Sequence, residues 1–223
     1  MSSRVISSET LADALAETGI LPVVSIPAIE SAEPLAGALV EGGVCALEVT
    51  LRTTCALEGV RRIHAAFPEL ALGVGTVLNE EQARSAKDAG ADFLVAPGLD
   101  VDLVRVAAGL GLPFIPGVTN PTEITHAVKL GLTTLKFFPA EISGGVAALA
   151  LYHGPFPDVR FIPTGGMNRD NIGAYLRKPF VLACGGSYMA PSAEVKAGDW
   201  AAITEKCRAC VELARTARAE AQS

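Results

Sequence analysis

Charge is scarce in this chain. Asp, Glu, Lys and Arg make up 19% of its 223 residues, and no basic run or aromatic-basic patch occurs among them. The 18 basic against 24 acidic residues leave a net charge of −6, which argues against nucleic acid as a partner and otherwise only aids solubility. Cysteine is thin as well. Cys45, Cys55, Cys184, Cys207 and Cys210 are an odd number in a chain long enough to fold without staples, which points to reduced thiols and a cytoplasmic setting. Cys207 and Cys210 form a C-x-x-C with no second pair, and in a late helical pattern they read as ordinary helix residues. Long apolar runs are missing too: the uncharged stretch 142–157 is broken by Gly144, Gly145, Gly154 and two prolines, so no membrane span is expected. Acidic residues occupy the part of 1–19 where a secretory signal would have its apolar core. His64, His126 and His153 are scattered, and no Asp/Glu/His cluster gathers at strand ends, so neither a metal nor another cofactor is expected.

What the chain has in quantity is apolar side chains. At 50% they exclude disorder and are ample for a core. They fall into short β-rich runs at 21–26, 46–51, 71–76, 93–97, 113–118, 134–139, 160–164 and 181–184, separated by amphipathic stretches such as 54–67, 80–89, 101–110 and 121–130. Many of those stretches close on a glycine (Gly43, Gly90, Gly111, Gly131), the residue that ends a helix in the left-handed conformation. Run starts recur every 20 to 26 residues, one βα unit each. Eight units with nothing left over predict a single domain over 1–223, a closed (β/α)8 barrel of TIM type. An extra helix over about 8–18 precedes the first strand, with Ser8 as its cap. An open doubly wound sheet fits less well, because Ser25-Ile26-Pro27-Ala28 stands where its glycine-rich turn belongs.

Polar residues on strands carry the functional signal. In 46–52, Leu47, Val49 and Leu51 form one face, which leaves Glu48, Thr50 and Arg52 directed into the barrel and its mouth. In 134–138 the same parity sends Lys136 to the axis with Thr134 and Phe138, while Leu135 and Phe137 face the helices. These strands are four apart in a ring of eight, so Lys136 and Glu48 project toward one point from opposite walls. A lysine removed from water tends toward the neutral, nucleophilic amine, and a carboxylate beside it can handle its protons. The alternative use of these charges is structural: a Glu48–Arg52 or a Lys136–Glu48 ion pair.

Pro163-Thr164-Gly165-Gly166 and Ala183-Cys184-Gly185-Gly186-Ser187 end the last two strands, the first followed by a helix beginning near Arg169. Paired glycines let backbone N–H groups approach an anion, at the two loops where such barrels usually hold phosphate. Arg52 could fork onto a substrate carboxylate with Thr76 donating to it; otherwise Thr76 caps the helix starting near Asn79. Pro97 closes the fourth strand. Lysine, carboxylate, arginine and phosphate clamp together predict a class I (Schiff-base) aldolase acting on a phosphorylated keto acid.

At these residues the chain resembles a known family. Leu47-Glu48-Val49-Thr50-Leu51-Arg52-Thr53, Gly73-Val74-Gly75-Thr76-Val77-Leu78-Asn79, Lys136-Phe137-Phe138-Pro139-Ala140-Glu141 and Pro163-Thr164-Gly165-Gly166 are similar to the 2-keto-3-deoxy-6-phosphogluconate (KDPG) aldolases. The resemblance implies cleavage of 2-dehydro-3-deoxy-6-phosphogluconate to pyruvate and glyceraldehyde 3-phosphate in the Entner–Doudoroff route, and of 4-hydroxy-2-oxoglutarate to pyruvate and glyoxylate. It implies Lys136 as Schiff-base lysine, Glu48 as acid/base, and Arg52 with Thr76 on the pyruvyl carboxylate. Gly165, Gly166, Gly186 and Ser187 would bind phosphate, Pro97, Phe138 and Thr164 would line the pocket, and the chain would be a homotrimer. Glu48-Val49-Thr50-Leu51-Arg52 and Thr164 favour the gluconate over the galactonate branch, where Glu-Ile-Pro-Leu-Asn and valine are usual. Ile26-Pro27-Ala28-Ile29 lacks the charged residues some relatives carry there, and Gly117-Val118-Thr119-Asn120-Pro121 departs from the commoner form, which leaves the role of Thr119 open. Two rival readings weigh against this one. A phosphosugar isomerase or epimerase would share the glycine clamp without needing Lys136, and a non-catalytic phosphate sensor would have lost Lys136 or Glu48.

Overall fold

The computed structural model describes residues 6–222. Its strands are β1 (Ile20–Val24), β2 (Ala46–Thr50), β3 (Ala71–Gly75), β4 (Phe93–Val95), β5 (Phe114–Ile115), β6 (Gly117–Val118), β7 (Thr134–Phe137), β8 (Arg160–Pro163) and β9 (Cys184–Gly186). Helices alternate with them: α1 (Ser8–Thr18), α2 (Ala32–Glu41), α3 (Ala56–Ala66), α4 (Glu80–Asp88), α5 (Val101–Leu110), α6 (Pro121–Lys129), α7 (Gly145–His153), α8 (Ile172–Leu176), α9 (Ser192–Ala197) and α10 (Trp200–Gln222). All strand pairs are parallel, in the orders β5-β4-β3-β2-β1-β9 and β6-β7-β8.

This is an α/β fold with a curled parallel sheet, and it departs from the sequence reading at several points. The run 113–118 is two strands, because Pro116 has no N–H to donate and breaks the ladder between Ile115 and Gly117. In place of the expected closed eight-stranded ring the strands therefore form a six-stranded and a three-stranded sheet, with β8 joined to the last strand segment by isolated bridges at Phe161–Val181 and Thr164–Gly185. The last strand lies at Cys184–Gly186 rather than 181–184, hidden from sequence by the low strand preference of Gly185-Gly186. The helix after β8 begins at Ile172 rather than near Arg169, since Asn168 Oδ1 takes the N–H groups of Asp170 and Asn171 and holds the chain in a turn. The boundaries of α1 agree with expectation, but its cap is Ser7, whose hydroxyl accepts from Thr10 N at 3.0 Å.

Two apolar layers position the site. Outward residues such as Leu47, Val49, Leu72, Val74, Leu135 and Phe137 pack against the helices, all at 1% exposure or less. Inward residues at the strand starts, among them Leu21, Ala46, Ala71 and Phe93, form a second cluster with Ile6, Leu11 and Leu15 of the N-terminal segment. The amphipathic α1 thus covers the N-terminal ends of the strands. Small inward residues make that filling possible: a Cβ on Gly73 would stand 2.3 Å from the Phe93 ring. Among the described residues no helix is long and apolar enough to cross a membrane.

Candidate active site

The parity of β2 and β7 determines the central contact. With Leu47 and Val49 turned to the helices, Glu48 points into the hollow, and with Leu135 and Phe137 turned likewise, Lys136 meets it from across. Lys136 Nζ lies 3.1 and 3.2 Å from the two carboxylate oxygens of Glu48. Both side chains are removed from water, at 8% and 1% exposure. The proton that must leave Nζ before the amine can attack a carbonyl therefore has an acceptor in direct contact. Phe138 packs beside the amine, with Nζ 5.6 Å from its ring centre. Glu48 has its room because β3 carries glycine opposite: a Cβ on Gly75 would stand 2.1 Å from Oε1. Gly75→Ala is therefore expected to displace the carboxylate and lower kcat by about 100-fold, the scale of an ångström-level misplacement. Steady-state kinetics check this, and an unchanged kcat would show that the position of Glu48 is immaterial.

Above the pair opens a cavity of about 350 Å³ at the C-terminal ends of the strands. Arg52, Thr76, Pro97, Lys136, Phe138 and Thr164 line it, and all six are expected from sequence. Arg52 is exposed and makes no ion pair among the described residues, so the Glu48–Arg52 pairing does not form and the guanidinium is available to an anionic ligand. Thr76 does not cap α4; Asn79 does, accepting from Gln82 N at 2.9 Å. Thr76 has φ 62°, and among the described residues it alone has positive φ without being glycine. A β-branched residue there is strained by about 1–3 kcal/mol, and such strain concentrates where a side chain must be aimed.

The far wall is the glycine loops. Gly165, Gly166, Gly186 and Ser187 all line the cavity. Gly165 and Gly166 have φ 95° and 83°, conformations closed to other residues without strain. The N–H groups of Gly166, Met167 and Ser187 donate to no protein acceptor among the described residues, which leaves them for a bound anion. Thr164 comes this close because its neighbour is glycine: a Cβ on Gly185 would be 2.3 Å from Thr164 Oγ1.

Two lining residues escaped the sequence reading, Val23 and Met167. Apolar residues at strand ends look the same whether they border a core or a cavity. Thr119 is structural, its N–H and hydroxyl donating to Glu123 Oε2 at 2.6 and 3.1 Å across the start of α6. Thr50 is also occupied, 2.8 Å from Ser25 Oγ and donating to Val24 O. Cys207 and Cys210 lie buried in α10, and burial pushes the Cys207 thiol up to about 12, far from a reactive thiolate. Among the described residues no three His, Cys, Asp or Glu side chains stand together as a metal site.

An amine that can add to a ketone, an acid in contact with it and a separate anion cradle serve one chemistry well, the making and breaking of carbon–carbon bonds. The chain is a lyase of the aldolase class. The family model for KDPG and KHG aldolases matches residues 11–206, and the chain belongs to that family. The KHG/KDPG aldolase of Escherichia coli (strain K12) is 44% identical over 208 residues, 93% of this chain and 98% of that protein. The 2-dehydro-3-deoxy-phosphogluconate aldolase of Treponema pallidum (strain Nichols) is 44% identical over 195 residues, 87% of this chain and 93% of its own. Among solved structures, the KDPG aldolase of Legionella pneumophila, with pyruvate captured at low pH as a covalent carbinolamine intermediate, matches with TM-score 0.86 at 38% identity, covering 89% of this chain and 96% of that one.

Proposed function

We propose that the chain is a class I aldolase that cleaves 2-dehydro-3-deoxy-6-phosphogluconate to pyruvate and glyceraldehyde 3-phosphate, and 4-hydroxy-2-oxoglutarate to pyruvate and glyoxylate. The contact between Lys136 Nζ and the Glu48 carboxylate, buried at the base of the cavity, carries this reading. Arg52 and Thr76 hold the substrate carboxylate, and Gly165, Gly166, Gly186 and Ser187 hold the phosphate. Pro97, Phe138 and Thr164 shape the space between.

Each step follows from those positions. Glu48 takes a proton from the Lys136 ammonium, and the amine adds to the C2 ketone, forming the N–C2 bond while the carbonyl oxygen gains the proton that the newly bonded nitrogen sheds. Loss of that oxygen as water, with Glu48 returning its proton, leaves an iminium at C2. The C4 hydroxyl then gives its proton to Glu48 as the C3–C4 bond breaks. Its electron pair moves onto C3 and into the iminium, giving an enamine and a free aldehyde. Protonation at C3 and hydrolysis release pyruvate and restore the lysine. Phosphate bound at the far wall fixes the distal end, so its binding energy orients the reacting carbons.

Several features support a single closed (β/α)8 barrel as the scaffold, with β5 and β6 as one strand. The bridges from β8 to the last strand segment lie along the edge where closure would occur. On the other side, Gly117 packs so closely on Pro97 that a Cβ would be 2.0 Å from its carbonyl oxygen. One barrel domain over 1–223 goes with that scaffold; by family resemblance it assembles as a homotrimer, and the odd, thinly spread cysteines favour the cytoplasm.

Pyruvate release, followed by coupled reduction, tests the function on three substrates: the gluconate-branch phosphate, its galactonate epimer and 4-hydroxy-2-oxoglutarate. The highest kcat/KM is expected on the gluconate-branch substrate. A preference for the galactonate epimer would overturn the branch assignment, and no pyruvate from any of them would overturn the activity.

A further inference from the structure

Behind the glycine cradle stand two side chains that the mechanism does not use. Glu141 follows β7, its N–H donating to Gly165 O at 3.2 Å. Its own methylenes press on the loop: a Cβ on Gly166 would be 2.5 Å from Glu141 Cγ and 2.7 Å from Cβ. The carboxylate is turned away from the cavity, whose wall it does not join, and accepts a hydrogen bond from the phenol of Tyr175. Tyr175 belongs to α8 and is 1% exposed. Burial, with the bond to Glu141 next, holds its phenol proton well above the usual range. The chain around the contact is fitted to it: Gly145 has φ 60°, and a Cβ there would come within 3.2 Å of the Tyr175 hydroxyl. Asn171 Nδ2 also donates to Gly166 O, at 2.9 Å, and Asn168 Nδ2 at 3.4 Å.

We infer that Glu141 and Tyr175 are positioning residues for the phosphate: the buried phenol holds Glu141 against Gly166, so that the loop is already formed when the ligand arrives. This rests on the phosphate role proposed for Gly165 and Gly166. The pair acts in two ways. It removes conformations the loop would otherwise have to give up on binding. It also ties down a negative charge that, released from Tyr175, could swing toward an incoming phosphate and repel it.

The test is steady-state cleavage of two substrates, 2-dehydro-3-deoxy-6-phosphogluconate and the unphosphorylated 4-hydroxy-2-oxoglutarate, by Tyr175→Phe, Glu141→Ala and Glu141→Gln. For the phosphorylated substrate, KM is expected to rise about tenfold in Tyr175→Phe and Glu141→Ala, the effect of losing one charge-assisted hydrogen bond. Its kcat, and both constants on the short substrate, should stay within about twofold, well inside one such bond. Glu141→Gln should stay near the parent, because the amide oxygen accepts the same bond and the methylenes still cover Gly166. Equal losses on both substrates, or no change on either, overturn the positioning role. Tyr175 is a core residue; if its variant does not fold, Glu141→Ala against Glu141→Gln decides alone. A parent enzyme with equal KM for both substrates and no competitive inhibition by inorganic phosphate would instead overturn the phosphate reading itself.

Discussion

Lys136→Ala is expected to reduce pyruvate release by on the order of 10⁶-fold, the scale on which removing a covalent nucleophile acts. The parent protein, incubated with pyruvate and borohydride, should carry a reduced pyruvyl group on the peptide containing Lys136. Label on another lysine, or none, would count against the assignment. A structural role for the Lys136–Glu48 pair makes a different forecast, and turnover measured beside stability separates the two. Removing Lys136 strands a carboxylate that is 1% exposed, which should cost about 3–5 kcal/mol in denaturant unfolding. Adding Glu48→Gln to that variant replaces the stranded charge with a neutral amide and should regain most of the loss. If the double variant recovered turnover along with stability, covalent catalysis by Lys136 would be wrong. If Lys136→Ala were destabilised yet fully active, the pair would be a structural bridge and nothing more.

Glu48→Gln should lower kcat by about 10²–10⁴, the range for removing a positioned proton carrier. Affinity for pyruvate should change far less, because the carboxylate of the ligand is assigned to Arg52 and Thr76. Borohydride trapping gives the finer view. The variant should still form the adduct, but slowly, since the 3.1 Å route by which Nζ sheds its proton is gone. A kcat equal to that of the parent would remove Glu48 from the mechanism. Labelling as fast as in the parent, with cleavage slowed, would confine its role to the C4 hydroxyl.

The placement of Lys136 against Glu48 was legible in the sequence, because alternation along 46–52 and 134–138 and the half-turn between two strands of a ring are matters of counting. The glycine loops were legible for a similar reason: Gly165-Gly166 and Gly185-Gly186 interrupt apolar strands where nothing but close backbone approach calls for them. Local departures from ideal strand geometry were not. Pro116 breaks a ladder without altering hydrophobic pattern, and Gly185-Gly186 conceals a strand whose pairing comes from its neighbours. Val23 and Met167 line the cavity with side chains that any core would accept. The positive φ of Thr76 has no compositional trace. Glu141 and Tyr175 are 34 residues apart, and nothing in either segment announces that α8 will bring a phenol to that carboxylate.

The plug that α1 makes beneath the strands also governs how the reaction must finish. With Ile6, Leu11 and Leu15 packed on the strand starts, the proposed closed barrel gives substrate and both fragments one doorway, at the upper rim. On the proposed mechanism the aldehyde fragment is bound by no covalent link, whereas the three-carbon remnant stays tethered to Lys136 until water frees it. Departure is therefore ordered, aldehyde before pyruvate, and in the synthetic direction pyruvate must enter first.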